Sequence, residues 1–207
     1  MSVEPVPRPA PPLNPVPAAG ARIALIGPPA AGKSTIGRLL AERLDIPLRD
    51  TDARIVEQHG DIQQIFASRG EARFREIERE VVRRSLRELL DRPGVVSLGG
   101  GAILNPGTRA QLKHPAIKVI TIMIDADVAR VRLGGSRRPL LDDDADPVAA
   151  WQALVEERMP LYESVSTATV SASNEPPSTV VNRVVDVLTK LQREEEYARF
   201  DQEETID

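Results

Sequence analysis

Short apolar runs alternate with longer stretches of helical periodicity along this 207-residue chain. The apolar runs are Arg22–Ile26, a stretch near Pro47–Asp50, Val95–Leu98, Lys118–Ile124 and a stretch near Thr167–Ser171. The first of them reads as a short buried strand and the others as strand-like. After the first run, Ile36, Leu39, Leu40 and Leu44 recur at helical spacing. A long segment, about Glu71–Leu90, sets Phe74, Ile77, Val81, Leu86 and Leu89 along one face. Another near Pro147–Met159 carries Trp151, Leu154 and Val155, and a last one from about Ser178 carries Val181, Val184, Val185, Leu188 and Leu191. Strand and helix in alternation predict βαβ units: an α/β chain with a five-stranded parallel sheet and helices on both faces. Such sheets bind ligands at the carboxyl ends of their strands. The loops after Ile26, Leu48, Leu98 and Ile124 therefore belong on one rim.

The two ends differ from this core. Residues 1–20 hold seven prolines and few residues that could pack, which predicts a disordered or polyproline II-like arm. A ligand for an SH3-type domain is the competing reading. From Gln192 to Asp207 the chain carries seven acids and two bases, and either prolongs the last helix or forms a solvated tail. The expected organisation is thus an arm over 1–20, one domain over 21–191 and an acidic tail over 192–207. The overall charge of −4 sits in that tail, so it does not argue against an anionic ligand. No basic stripe of the kind nucleic acid requires is evident. With no cysteine, a disulfide framework and thiolate metal sites are excluded. No apolar run is long enough for a membrane span, and the start lacks the layout of a signal peptide. A reducing cytoplasm is the expected setting.

The first candidate chemistry lies just after the first strand. Gly27-Pro28-Pro29-Ala30-Ala31-Gly32-Lys33-Ser34 matches G-x-x-x-x-G-K-[ST] between a strand and a helix. Glycines there let backbone N–H groups turn toward phosphate oxygens, and the helix N-terminus adds its positive end. Lys33 would reach the β- and γ-phosphates, and Ser34 would ligate Mg²⁺. The competing reading is a chance glycine-rich turn.

Other rim loops add to it. Asp50-Thr51-Asp52 follows the second strand. One carboxylate could help hold Mg²⁺ near Ser34, while the other accepts or orients a substrate proton. Alternatively, Asp52 or Thr51 caps a helix starting near Ala53. Arg75 reads either as a surface charge or as a fork for a substrate carboxylate, steadied by Glu78 one turn on. Gly99-Gly100-Gly101 costs backbone entropy that close approach of a ligand would justify. Gly134-Gly135-Ser136-Arg137-Arg138 reads as a lid, about 134–146, bringing arginine to a transferring group. Asp142–Asp144 reads as a loop tip or, less simply, a metal site. Arg158 lies near the end of a helix, where a cation also suits the dipole.

In series, the P-loop, Asp-Thr-Asp, Phe-Arg-x-x-Glu, Leu-Gly-Gly-Gly-Ala, Arg-Pro-Leu-Leu and Arg-x-Pro-Leu-Tyr resemble shikimate kinase, from about Ala21 to Leu191. The resemblance implies a three-layer P-loop fold of the nucleoside-monophosphate-kinase kind with a lid. It implies ATP and shikimate as substrates, Mg²⁺ as cofactor, and a cytoplasmic monomer without nucleic acid or membrane partners. It assigns Asp52, Lys33 and Arg138 to catalysis, and Asp52, Arg75, Gly99, Gly100, Gly101 and Arg158 to shikimate. Gly27, Ala30, Ala31, Gly32, Lys33, Ser34 and Thr35 would bind ATP, with Arg138 on the phosphates and Arg132 and Pro176 or Pro177 beside adenine. Ser34 and Asp50 would support Mg²⁺. The lid looks about one residue shorter than in relatives, with Arg137 as an added base, and Glu175 stands where relatives often carry arginine. His59, His114 and Trp151 match no catalytic role and read as packing or surface residues. A gluconate or adenylate kinase is the nearest alternative, but the Arg75–Arg158 pair favours an acid. A regulatory module that keeps the fold without the chemistry is the other. Intact Lys33, Ser34, Asp50, Asp52 and Arg138 argue against it.

Overall fold

A computed structural model describes residues 20–133 and 146–204, with side chains through Asp201. Residues 1–19 of the expected arm, the stretch 134–145 of the expected lid with Arg137, Arg138 and Asp142–Asp144, and the last three residues lie outside the described residues. Five strands form one parallel sheet: β1 (Arg22–Ile26), β2 (Leu48–Asp50), β3 (Gly94–Ser97), β4 (Lys118–Met123) and β5 (Ala168–Ser171), in the order β2-β3-β1-β4-β5. The strand order reverses around β1, so the crevice at its carboxyl end is the topological switch point.

Alternate strand residues feed two cores, as a period of two dictates. Ile23 and Leu25 face one layer, where α1 (Lys33–Leu44), α5 (Ala126–Leu133), α6 (Pro147–Glu163) and α7 (Pro177–Glu204) contribute Leu40, Ala129, Trp151 and Val184. Ala24 and Ile26 face the other, filled by Val82, Leu86 and Leu89 of α3 (Ile62–Asp91), Leu112 of α4 (Pro106–Leu112) and Tyr162 of α6. A third cluster joins α2 (Thr51–His59) to α3 through Ile55, Ile65, Phe74, Ile77 and Val81. It is separate from both sheet faces and lies beside the rim.

Two elements differ from expectation, and a third takes one of the two readings the sequence left open. The long helix begins at Ile62, capped by Asp61, rather than near Glu71, and breaks at Gly70 (φ 77°, ψ 166°). The predicted start is therefore the restart after a positive-φ break that glycine accommodates best. α6 continues through Pro160 to Glu163. The helix carries on past a residue that lacks an N–H, and Arg158 and Tyr162 on either side of it are buried. α7 runs unbroken to Glu204, so the described part of the acidic end is helix, tied back to β4 by an ion pair between Lys118 and Glu195.

Candidate active site

The loop between β1 and α1 is bent by three left-handed residues, Gly27 (φ 138°), Ala30 (φ 65°) and Gly32 (φ 84°). A Cβ on Gly27 would collide with the carbonyl of Ile122 in β4. Gly32 stands at the N-cap of α1 without a side-chain cap, so the first amides of the helix face the rim. Lys33 is buried and its Nζ donates to the carbonyls of Gly27 and Pro28, both at 2.9 Å. Arg132 of α5 donates to Ala30 O at 3.1 Å and to Ala172 O at 3.4 Å, bridging the loop to the end of β5. Trp151 of α6 donates from Nε1 to Pro29 O at 2.9 Å.

This loop forms one wall of a cavity of about 560 Å³. The opposite wall holds Asp52, Phe66, Arg75, Glu78, Gly99, Gly100, Gly101 and Arg158. Asp50, not Asp52 or Thr51, caps α2: its Oδ1 accepts from Ala53 N at 3.0 Å. Its Oδ2 is buried with no protein partner among the described residues. Thr51 Oγ1 accepts from Gly99 N at 3.0 Å, which ties α2 to the glycine loop. Asp52, in the first turn, lines the cavity.

The approach that demands three glycines is that of the protein's own groups. A Cβ on Gly99 would lie 2.5 Å from Asp52 Oδ1 and 3.0 Å from Glu78 Oε1. One on Gly100 would lie 3.1 Å from Pro29, and one on Gly101 would overlap the Arg75 guanidinium. Arg75 Nη1 donates to Glu78 Oε2 at 2.7 Å, while Nε and Nη2 reach Glu71 Oε1 at 3.2 and 3.1 Å. Burial alone would lower the pKa of Arg75, but the charge and hydrogen bond of Glu78, aided by Glu71, hold it above its ordinary value. Burial pushes the Glu78 carboxyl up, Asp52 adds to the rise, and Arg75 offsets only part of it. Arg158 is buried; Nη1 donates to Gly100 O at 3.0 Å, and Nε has no partner among the described residues. Tyr162 OH donates to the same carbonyl at 3.2 Å, and burial pushes its pKa up to about 12.

A smaller hollow, about 280 Å³, lies behind the phosphate loop, lined by Ala30, Thr35, Arg132, Ala172, Glu175 and Pro177 among others. Glu175 accepts from Arg183 Nη2 through both oxygens, at 2.7 and 2.6 Å.

Residues 29–189 match the family model for shikimate kinase. The chain belongs to the shikimate kinase family. A shikimate kinase of Thermobifida fusca is 46% identical over 154 residues, covering 74% of this chain and 86% of its own. One from Mycobacterium ulcerans is 45% identical over 166 residues, 79% of this chain and 87% of its own. The solved shikimate kinase from Acinetobacter baumannii in complex with shikimate superposes with a TM-score of 0.75 at 29% identity, covering 81% of this chain and 92% of that one. Shikimate kinases use ATP, and this fold is that of the P-loop kinases.

Within this shikimate kinase domain, Lys33, Ser34, Thr35, Asp52, Arg75, the three glycines, Arg132 and Arg158 do meet around one cavity. Arg132 is no solvent-facing charge, since it anchors the phosphate loop. Arg158 is not a helix-end counter-charge, since its guanidinium is buried against Gly100. Of the two prolines considered, Pro177 lines the smaller hollow; the carbonyl of Pro176 instead accepts from Thr179 N and Val180 N at the start of α7. Ile62, Gln63 and Phe66 line the main cavity although sequence reasoning missed their helix. The signal available was Asp61 three residues before Gln64, a capping spacing. Trp151 was read as packing, yet it is also bonded to the phosphate loop.

Proposed function

We propose that this chain transfers the γ-phosphoryl group of ATP to a ring hydroxyl of shikimate, giving ADP and shikimate 3-phosphate, a step in chorismate and aromatic amino acid biosynthesis. The observation that carries the reading is the convergence of Arg75 from α3 and Arg158 from α6 on the cavity shared by Asp52 and the phosphate loop. A carboxylate between two guanidiniums makes charge-assisted, paired hydrogen bonds. A polyol acceptor would bring no carboxylate to the two guanidiniums. Glu71 holds Arg75 from the exposed side, so it is the partner an incoming carboxylate replaces. Glu78 stays behind as the buried support.

Asp52 accepts the proton of the acceptor hydroxyl as its oxygen bonds to the γ-phosphorus and the bond to the β-bridging oxygen breaks. Lys33 moves from the carbonyls of Gly27 and Pro28 onto the β- and γ-phosphates, which the loop amides and the N-terminus of α1 also meet. Arg138 joins them from the lid. Arg132 and the prolines at the start of α7 flank the adenine. The buried, unpartnered Asp50 Oδ2 and the Ser34 hydroxyl suit Mg²⁺, which keeps several waters and needs few protein ligands. When bound, Mg²⁺ neutralises charge on the β- and γ-oxygens. The domain over 21–191 works as a monomer in the cytoplasm and is sufficient for the transfer. An ADP-release assay with shikimate, quinate, gluconate and nucleoside monophosphates tests the reading. Turnover with shikimate well above the others is expected, and a preference for gluconate or a nucleotide overturns it.

A further inference from the structure

One face of α6 holds both halves of the site. Trp151, Arg158 and Tyr162 fall at the spacing of a single helix face. Trp151 Nε1 bonds Pro29 O in the phosphate loop at 2.9 Å. Arg158 Nη1 and Tyr162 OH bond Gly100 O in the glycine loop at 3.0 and 3.2 Å. The two loops also touch each other, for a Cβ on Gly100 would lie 3.1 Å from both the nitrogen and Cδ of Pro29. Trp151 is 3% exposed and is not among the residues lining the main cavity. Its indole N–H has therefore no substrate to meet, and its partner is a backbone carbonyl of the loop that holds the donor.

We infer that Trp151 is a positioning residue for phosphoryl transfer: through Pro29 it fixes the phosphate loop against the Gly100 loop, and so sets the γ-phosphate against the acceptor hydroxyl. The inference rests on the kinase reaction proposed above. Transfer in line is sensitive to displacements of an ångström. Substrate affinity draws on other groups, Lys33 and the loop amides for the nucleotide and Arg75 and Arg158 for the acid. Loosening the Pro29 anchor therefore acts on turnover before affinity. Trp151→Phe keeps an aromatic ring in the core and removes the N–H donor together with the pyrrole part of the indole, so the melting temperature is read beside the kinetics. Phe at position 162 removes the hydroxyl at the other end of the bracket. Trp151 and Tyr162 bond different loops, and these loops meet at Pro29 and Gly100, so their effects on turnover are coupled.

The test is a double-mutant cycle on Trp151→Phe and Tyr162→Phe, reading kcat, both KM values and the melting temperature. Trp151→Phe should lower kcat by about 10- to 100-fold, with KM for shikimate and for ATP changed by less than about threefold. The double variant should lose clearly less than the product of the two single losses, as groups acting as a unit do. Wild-type kcat in Trp151→Phe overturns the inference. So does a cycle that multiplies, or a loss carried by rising KM values in step with a falling melting temperature, since those mark a structural role. A wild-type chain that does not turn over shikimate would overturn the proposed function instead.

Discussion

Asp50 and Asp52 stand two residues apart and do different work. Asp50 spends one oxygen on the helix cap and keeps the other buried at the rim, whereas Asp52 lines the cavity. Replacing Asp52 by Asn should lower kcat by at least about 100-fold while leaving nucleotide affinity near wild type, read by coupled assay and calorimetry. Arg75→Ala and Arg158→Ala should each raise KM for shikimate by roughly 10- to 100-fold, since each loses a charged hydrogen bond. Glu78 makes a pH prediction. Its folded pKa lies above the ordinary carboxylate value, so the fold favours its protonated form. That contribution is full below the ordinary range and is lost as pH rises through the raised value. The urea midpoint of Glu78→Gln, taken relative to wild type, should therefore increase from acid to neutral pH. A flat difference would show that Arg75 cancels the cost of burial. The residue types for this chemistry were legible in the chain. The division of labour between Asp50 and Asp52 was not, because the cap depends on which residue the helix starts after.

Glycine marks two kinds of place in the elements. Around Gly70 there is open space, so the constraint is its left-handed backbone. Gly70→Ala should cost about 1–2 kcal/mol in urea unfolding, and Gly70→Asn about as much, because a positive φ with an extended ψ is a conformation that glycine alone adopts readily. Gly101 has an ordinary φ but no room beside Arg75. Gly101→Ala should displace the guanidinium and raise KM for shikimate with KM for ATP unchanged, in steady-state kinetics with each substrate varied. The strands and the end of α3, with Leu86 and Leu89, were readable because their apolar residues face the large sheet cores, and Phe74, Ile77 and Val81 extend the same helical period into the third cluster. The roughly two turns before Gly70 were not. Among the described residues, Ile62, Ile65 and Phe66 cluster with apolar residues of α2 and the rest of α3, and so short a piece has little period to read.

At the scale of the molecule, the rim is assembled from the ends of β1, β2 and β3 and from helices α3, α5 and α6, while α7 carries the acidic end away from it. Removing residues 1–18 should leave kcat near wild type, and so should ending the chain after Leu191. The second truncation also removes the Lys118–Glu195 ion pair, whose loss should cost no more than about 1 kcal/mol in thermal unfolding. A large fall in kcat from either would put that segment in the site. The chain by itself determined the α/β alternation, the phosphate loop and the motifs of the acceptor side. These rest on local periodicity and on fixed spacings, which neighbours in sequence are enough to express. Tertiary structure alone decided that Gly100 must be bare because Pro29 crosses it, that Arg158 and Tyr162 share one carbonyl, and that Trp151 reaches the phosphate loop. Trp151 and Pro29 lie far apart along the chain, and only the packing of α6 onto the sheet brings an indole N–H within a hydrogen bond of that carbonyl.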